Sequence, residues 1–124
     1  MLNDGASVVI LSSIVASTHK PYSSVCQASK AALHSMAKTA ATELASRKIR
    51  VNVISPRPHT TEIMTKAGLD KSTLGSIHAR LIDEIPLKKM GDPQDVAKLV
   101  LYFCDEHAIF ITGGEVIVDG GMTL

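Results

Sequence analysis

The chain has 124 residues, 45% hydrophobic and 20% charged, which suits one domain with a core and excludes global disorder. Thirteen basic and twelve acidic residues leave a net charge of +1, so no basic excess exists to neutralise nucleic-acid phosphates or to grip an anionic membrane surface. Aromatic residues are 3% with no tryptophan, too few for a module that stacks bases or rings, and alanine and aliphatic residues fill the core instead.

The opening Met1-Leu2-Asn3-Asp4-Gly5 lacks the basic and apolar regions of a signal peptide. No apolar run approaches the roughly 18 residues of a spanning helix. Two cysteines, Cys26 and Cys104, make no disulfide framework, and a reduced, cytoplasmic setting is expected. Ser7-Val8-Val9-Ile10-Leu11 is a continuous β-branched run and predicts a strand buried on both faces. Ser12 to Ser24, with Pro21, predicts a loop. From Ser24 to Ser46, Val25, Ala28, Ala32, Leu33, Met36, Ala40 and Leu44 recur at helical spacing without Gly or Pro, which predicts a long helix with a small-residue face. Residues 49–54 predict a second strand, stopped by Ser55-Pro56. Residues 57–70 read as irregular, with a helical turn around Glu62 to Ala67. Leu74, Ile77 and Leu81 share one side of a helix expected over Ser72 to Asp83, ended by Pro86. Asp92-Pro93 is a helix start, since Asp caps free N–H groups and Pro tolerates the first turn. Val96, Leu99, Val100 and Phe103 carry that helix to Cys104. Glu115 to Asp119 predicts a third strand, ended by Gly120-Gly121.

Strand–helix alternation of this kind predicts an α/β fold with right-handed crossovers and a parallel sheet. Three strands make a poor complete sheet. The residues alone therefore predict a part of something larger, or a chain that assembles with another.

Several segments carry a family resemblance. The strand ending Leu11-Ser12-Ser13-Ile14, the segment Cys26-Gln27-Ala28-Ser29-Lys30-Ala31-Ala32-Leu33, the strand Ile49 to Pro56, and the closing Ile111-Thr112-Gly113 and Val118-Asp119-Gly120-Gly121 resemble the second half of a short-chain dehydrogenase/reductase. The resemblance runs over essentially the whole chain, and its nearest flavour is that of 3-oxoacyl-acyl-carrier-protein reductases. It implies that residues 1–124 form a single partial domain, the C-terminal part of a Rossmann-type doubly wound parallel sheet, about three strands with flanking helices. The family's glycine-rich turn, the residue that reads the adenosine ribose, and the tetrad asparagine have no counterpart here. Gly113-Gly114 precedes a strand and Gly120-Gly121 ends the chain, so neither replaces that turn.

The resemblance also implies roles. In the family a tyrosine exchanges a proton with the substrate oxygen while nicotinamide exchanges a hydride. A lysine four residues on binds the ribose and lowers the tyrosine pKa, and a serine on the preceding strand orients the substrate. Ser13 falls in the serine slot and Lys30 in the lysine slot, but the tyrosine slot holds Cys26. A thiol exchanges protons, yet its side chain is much shorter than a phenol. Cys26 is expected to be a small buried residue, with an activated nucleophile as the alternative. Tyr22 is a weaker stand-in, a turn or more before the helix. Ser13 as a loop hydroxyl and Lys30 as a solvated helix lysine are the structural alternatives. The family's Pro-Gly loop reads Pro56-Arg57-Pro58-His59-Thr60-Thr61, so Pro56, His59 and Thr61 fall in cofactor-contacting slots, while Arg57 replaces a glycine that allows positive φ and close backbone approach. No spacing of His59, Cys26, His34, Cys104 or His107 suggests a metal site. His19, His34, His78 and His107 are expected on surfaces or helix faces. Ile63, Met64, Leu69, Leu74, Ile77 and Leu81 suggest an apolar substrate wall.

Three functions stay open. The first is a truncated NAD(P)-dependent oxidoreductase whose parents reduce carbonyls or oxidise secondary alcohols, inactive alone and binding NAD or NADP weakly. The second is a module that pairs with itself or with full-length relatives through the 24–46 helix. The third is a half-enzyme completed by a separate glycine-bearing chain.

Overall fold

A computed structural model of the chain describes residues 1–66 and 68–124, with the side chains of Ile63 and Met64 excepted. Strand β1 spans Ser7–Leu11, β2 Arg50–Pro56 and β3 Glu115–Val118. They form a three-stranded parallel sheet in the order β1-β2-β3. Helix α1 (Ser24–Leu44) crosses from β1 to β2, and α2 (Ile63–Lys66), α3 (Lys71–Glu84) and α4 (Pro93–Cys104) lie between β2 and β3. The register aligns Val9 with Asn52 and Ile54 with Val116. The predicted architecture is present, and the turn expected at Glu62 to Ala67 is helical over Ile63–Lys66, with Ala67 outside the described residues.

Side chains alternate across a strand, so each face of the sheet takes its own layer. Val51 and Val53 pack with Ala37 and Ala41 of α1, and Val8, Ile10 and Leu44 flank them. Ile54 points the other way, onto Phe103 and Ala108, among Val9, Val96, Leu99 and Val100. Only β2 is covered throughout: Val51 to Ser55 are buried, because it alone has a strand on either side. β1 corrects the expectation of a strand buried on both faces. It is half-buried, and Leu11 stands 51% exposed, because no strand among the described residues pairs with its outer edge.

Of the α1 residues that recur at helical spacing, Val25 and Met36 are exposed, and the helix buries Ala37 and Ala41 instead. An Ala-rich helix carries more than one apolar stripe, and periodicity alone does not say which meets the sheet. α1 also ends earlier, tightening into a 3-10 turn over Ala45–Arg47 that Lys48 closes in the left-handed region. β2 runs past the predicted stop to Pro56, which pairs with Val118. Ile54 bonds toward β1 through Ser12, so Pro56, two residues on, points its missing N–H beyond the end of β1, where no ladder bond is lost. Asp70 caps α3 by accepting from the N–H groups of Ser72 and Thr73, and Asp92 caps α4 in a capping box with Asp95. Two features escaped the sequence reading. Ile14–Ala16 form a 3-10 turn that buries Ile14 and Val15 inside the supposed loop. Asn52, wholly buried in β2, donates to the Ile111 carbonyl at 2.8 Å and accepts from Gly114 N–H at 3.1 Å, tying β2 to the entry of β3.

Candidate functional site

The strand ends of a parallel α/β sheet open a crevice at their carboxyl side. Here that side holds an apolar cavity of about 920 Å³. Ser12 and Ser13 reach it from the end of β1, Pro56 to His59 and Thr61 from the end of β2, Leu81 from α3, and Val96, Ala97, Val100 and Leu101 from α4. Four of the six anticipated site residues, Ser13, Pro56, His59 and Thr61, therefore meet on one wall. Cys26 and Lys30 do not line it.

Ser13 caps the 3-10 turn: its Oγ accepts from Val15 N–H at 3.3 Å, which leaves the hydroxyl proton free. Ser12, its buried neighbour, points to the opposite face and donates to the Lys30 carbonyl at 3.3 Å. That bond ties the end of β1 to the turn of α1 carrying Lys30. His34, one turn further, places Nε2 2.9 Å from Ser12 Oγ and 3.3 Å from Ser55 Oγ, with Nδ1 3.5 Å from the Glu115 carboxylate. Of the histidines expected on surfaces or helix faces, His19 and His107 are exposed, while His34 lies on the inner face of α1 and joins all three strands.

Cys26 contradicts the expectation of a small buried residue: it is exposed. It sits in the first turn of α1, beyond the part of the helix that packs on the sheet. Lys30 follows at i+4 on the same helix face and is half-buried. Tyr22 is fully exposed, takes a left-handed φ of 62°, and is not among the cavity residues.

The loop after β2 departs from expectation in one respect. Arg57 sits outside the positive-φ region, so it is accommodated without backbone strain, and its N–H continues the ladder to Val118 O at 3.0 Å. His59 is the unusual residue. Both ring nitrogens are buried without a hydrogen-bond partner. The ring lies flat against Gly91, where a Cβ would come within 2.7 Å of Cδ2 and Nε2. Thr60 N–H to Gly91 O and Gly91 N–H to Pro58 O, each 3.0 Å, hold the two segments together. Of the expected apolar wall, Leu81 lines the cavity, Leu69, Leu74 and Ile77 do not, and the Ile63 and Met64 side chains lie outside the described residues. No group of three or more His, Cys, Asp or Glu among the described residues is arranged to hold a metal ion. No helix among them is long and apolar enough to cross a membrane.

Comparison with known proteins places these features. Residues 1–123 match a family model described as enoyl-(acyl carrier protein) reductase. The chain is 39% identical over 117 residues to dehydrogenase/reductase SDR family member 4 of Homo sapiens, covering 94% of this chain and 41% of that one. It is 36% identical over 115 residues to a 3-oxoacyl-[acyl-carrier-protein] reductase of Staphylococcus epidermidis, covering 93% and 45%. A solved small-chain dehydrogenase in complex with NADPH superposes with a TM-score of 0.86 at 30% identity, covering 98% of this chain and 52% of the other. The chain thus spans about half the length of the relatives it matches.

Proposed function

The chain belongs to the short-chain dehydrogenase/reductase family, and we propose that it carries the serine–lysine part of an NAD(P)-dependent site for carbonyl reduction or secondary-alcohol oxidation, without that activity on its own. Ser13, with its free hydroxyl proton in the cavity, supplies the group that orients a substrate oxygen. Lys30 supplies the ribose-binding cation, held in register by the Ser12 bond to its carbonyl. Pro56, His59 and Thr61 supply the loop that meets the cofactor in the family.

Among the described residues no glycine-rich strand-to-helix turn offers a pyrophosphate cradle. The connection from β1 to α1 holds Pro21 and the left-handed Tyr22 rather than a run of glycines, so no backbone cradle faces a pyrophosphate there. No chemical step is therefore assigned to the cofactor. The observation that carries the reading is the division at the site: Ser13 is in the cavity, while Cys26, in the tyrosine slot, is exposed outside it. A thiol that does not reach the substrate wall cannot exchange its proton there, whatever its acidity. Titration of the purified chain with NADH and NADPH, followed by nucleotide fluorescence, is expected to show no tight binding and no turnover of a ketone. Tight binding with turnover refutes the proposal.

Two assembly modes are favoured by specific surfaces. The unpaired edge of β1, with Leu11 exposed, favours completion by a separate chain that adds a parallel strand. The outward Val25 and Met36 of α1 favour pairing with a second copy or a full-length relative. Co-elution with the relevant partner on size exclusion tests each.

A further inference from the structure

The large cavity carries a charge pattern that the family reading does not account for. Among the described residues its wall holds no Asp or Glu, and apart from the imidazole of His59 its one basic side chain is Arg57. Arg57 is half-buried, and its guanidinium makes no ion pair or hydrogen bond among the described residues. The other polar side chains are Ser12, whose hydroxyl donates to the Lys30 carbonyl, and Ser13 and Thr61, since the ring nitrogens of His59 are sealed off. The rest is aliphatic: Leu11, Leu81, Val96, Val100 and Leu101. The smaller cavity behind the same loop, about 220 Å³, also touches Arg57. Its acids are already engaged: Asp119 accepts from Gly121 and Thr123, and Asp95 from Asp92 N–H. Both keep their charge in those bonds, but neither lies within ion-pair distance of the Arg57 guanidinium among the described residues.

We infer that Arg57 makes the large cavity a site for an apolar monocarboxylate, its hydrocarbon body against α4 and its carboxylate on the guanidinium. A guanidinium binds a carboxylate through two parallel N–H bonds, and an unpaired one beside an apolar wall gives both anchor and orientation. The volume falls in the range of about 300–1,000 Å³ typical of small-molecule sites. This assignment rests on the proposed oxidoreductase site for its chemical meaning, since it names the class of substrate the serine would orient. The binding does not need nucleotide.

The test uses the 124-residue chain without cofactor, titrated with hexanoate, hexanol, hexylamine and inorganic phosphate while the amide signals of Ser13, Ala97 and Leu101 are followed by NMR. Hexanoate is expected to bind about tenfold more tightly than hexanol, with hexylamine and phosphate weaker than hexanoate. Arg57→Gln should bring hexanoate down to the level of hexanol, Arg57→Lys should keep part of the preference, and Lys89→Gln, on the smaller cavity alone, should change nothing. Unchanged hexanol binding shows that each variant is folded. Equal binding of hexanoate and hexanol by the unaltered chain, or a preference that survives Arg57→Gln, overturns the inference. So does phosphate that displaces hexanoate at equal concentration, since it would mark an anion site indifferent to the apolar wall. The two readings fail separately: absence of turnover in a complemented enzyme leaves these affinities untouched, and loss of the carboxylate preference leaves turnover untouched.

Discussion

Replacing His59 by leucine should stabilise the protein. A neutral imidazole has one N–H donor and one acceptor, and here both are buried and unsatisfied. Each buried, unmade hydrogen bond costs about 1–3 kcal/mol. An apolar side chain of similar size removes both penalties. It also loses the flat fit on Gly91, which repacking makes worth about 1 kcal/mol. With the two penalties taken at about 1–2 kcal/mol each, the lower part of that range, the net expectation is a gain of about 1–3 kcal/mol. For a chain of this length each kcal/mol moves the midpoint by roughly 4 °C, so Tm should rise by about 4–12 °C. Urea unfolding at neutral pH is the assay, with an unchanged slope required so that the midpoint reports stability. A loss of 1 kcal/mol or more would refute the reasoning, because it would mean that the ring nitrogens are partnered in solution. The coupled change sharpens the test. Gly91→Ala drives a methyl to 2.7 Å from the ring and should cost about 2 kcal/mol in the unaltered chain. In a His59→Ala background most of that cost should vanish.

Gly120→Ala combines a φ of 65° with a Cβ 2.6 Å from Ile85 Cγ2, and should cost about 2–3 kcal/mol in the same urea assay. Asn52→Ala strands the Ile111 carbonyl and the Gly114 N–H inside the sheet and should cost about 3 kcal/mol, with hydrogen exchange at Gly114 accelerating before the rest of β3. The Thr73 hydroxyl and N–H, with Ser72, hold the Asp70 carboxyl well below the usual carboxylate range. A depressed folded-state pKa stabilises above the unfolded value, near about 4, and that contribution is lost as pH falls below it toward the folded value. The N-terminal turn of α3 should therefore loosen on acidification below about pH 4, read from the amide shifts of Ser72 and Thr73, and Asp70→Asn should flatten that response.

Where local chemistry decides, the sequence was readable. Asp92-Pro93 starts α4 because capping needs only neighbouring residues. The three strands are marked by β-branched runs. The meeting of four candidate residues at one cavity was readable for the same reason. Ser13 and the 56–61 loop reach the cavity because a strand end positions the residues just beyond it, so place along the chain suffices. The hidden features depend on distant partners. The side of α1 that meets the sheet is chosen by the fit of Ala37 and Ala41 on Val51 and Val53, not by the period of the helix. The sealed ring of His59 requires Gly91 across the loop, and the buried amide of Asn52 requires two groups before β3. The exposure of Cys26 is a matter of overhang: a helix of 21 residues, roughly 30 Å at 1.5 Å per residue, is longer than a strand of five or seven.

The uneven burial of the sheet gives a way to tell the two assembly modes apart. β2 is sealed, while β1 offers an open edge with Leu11 at its end, and α1 offers Val25 and Met36 on its outer side. A partner that binds only the folded chain raises its apparent stability by mass action, by about 2.7 kcal/mol at a hundredfold excess over Kd. A charge on an edge strand blocks pairing there, whereas a charge on an outward helix face leaves the strand edge intact. Leu11→Lys should therefore abolish the stabilisation given by a strand-adding partner and spare that given by a helix-pairing one, and Met36→Lys should do the reverse. Both positions are exposed, so neither change should cost much in the unpartnered chain, and thermal melts against partner concentration read the difference directly. If a partner's stabilising effect survives both substitutions, neither β1 nor α1 is its docking surface.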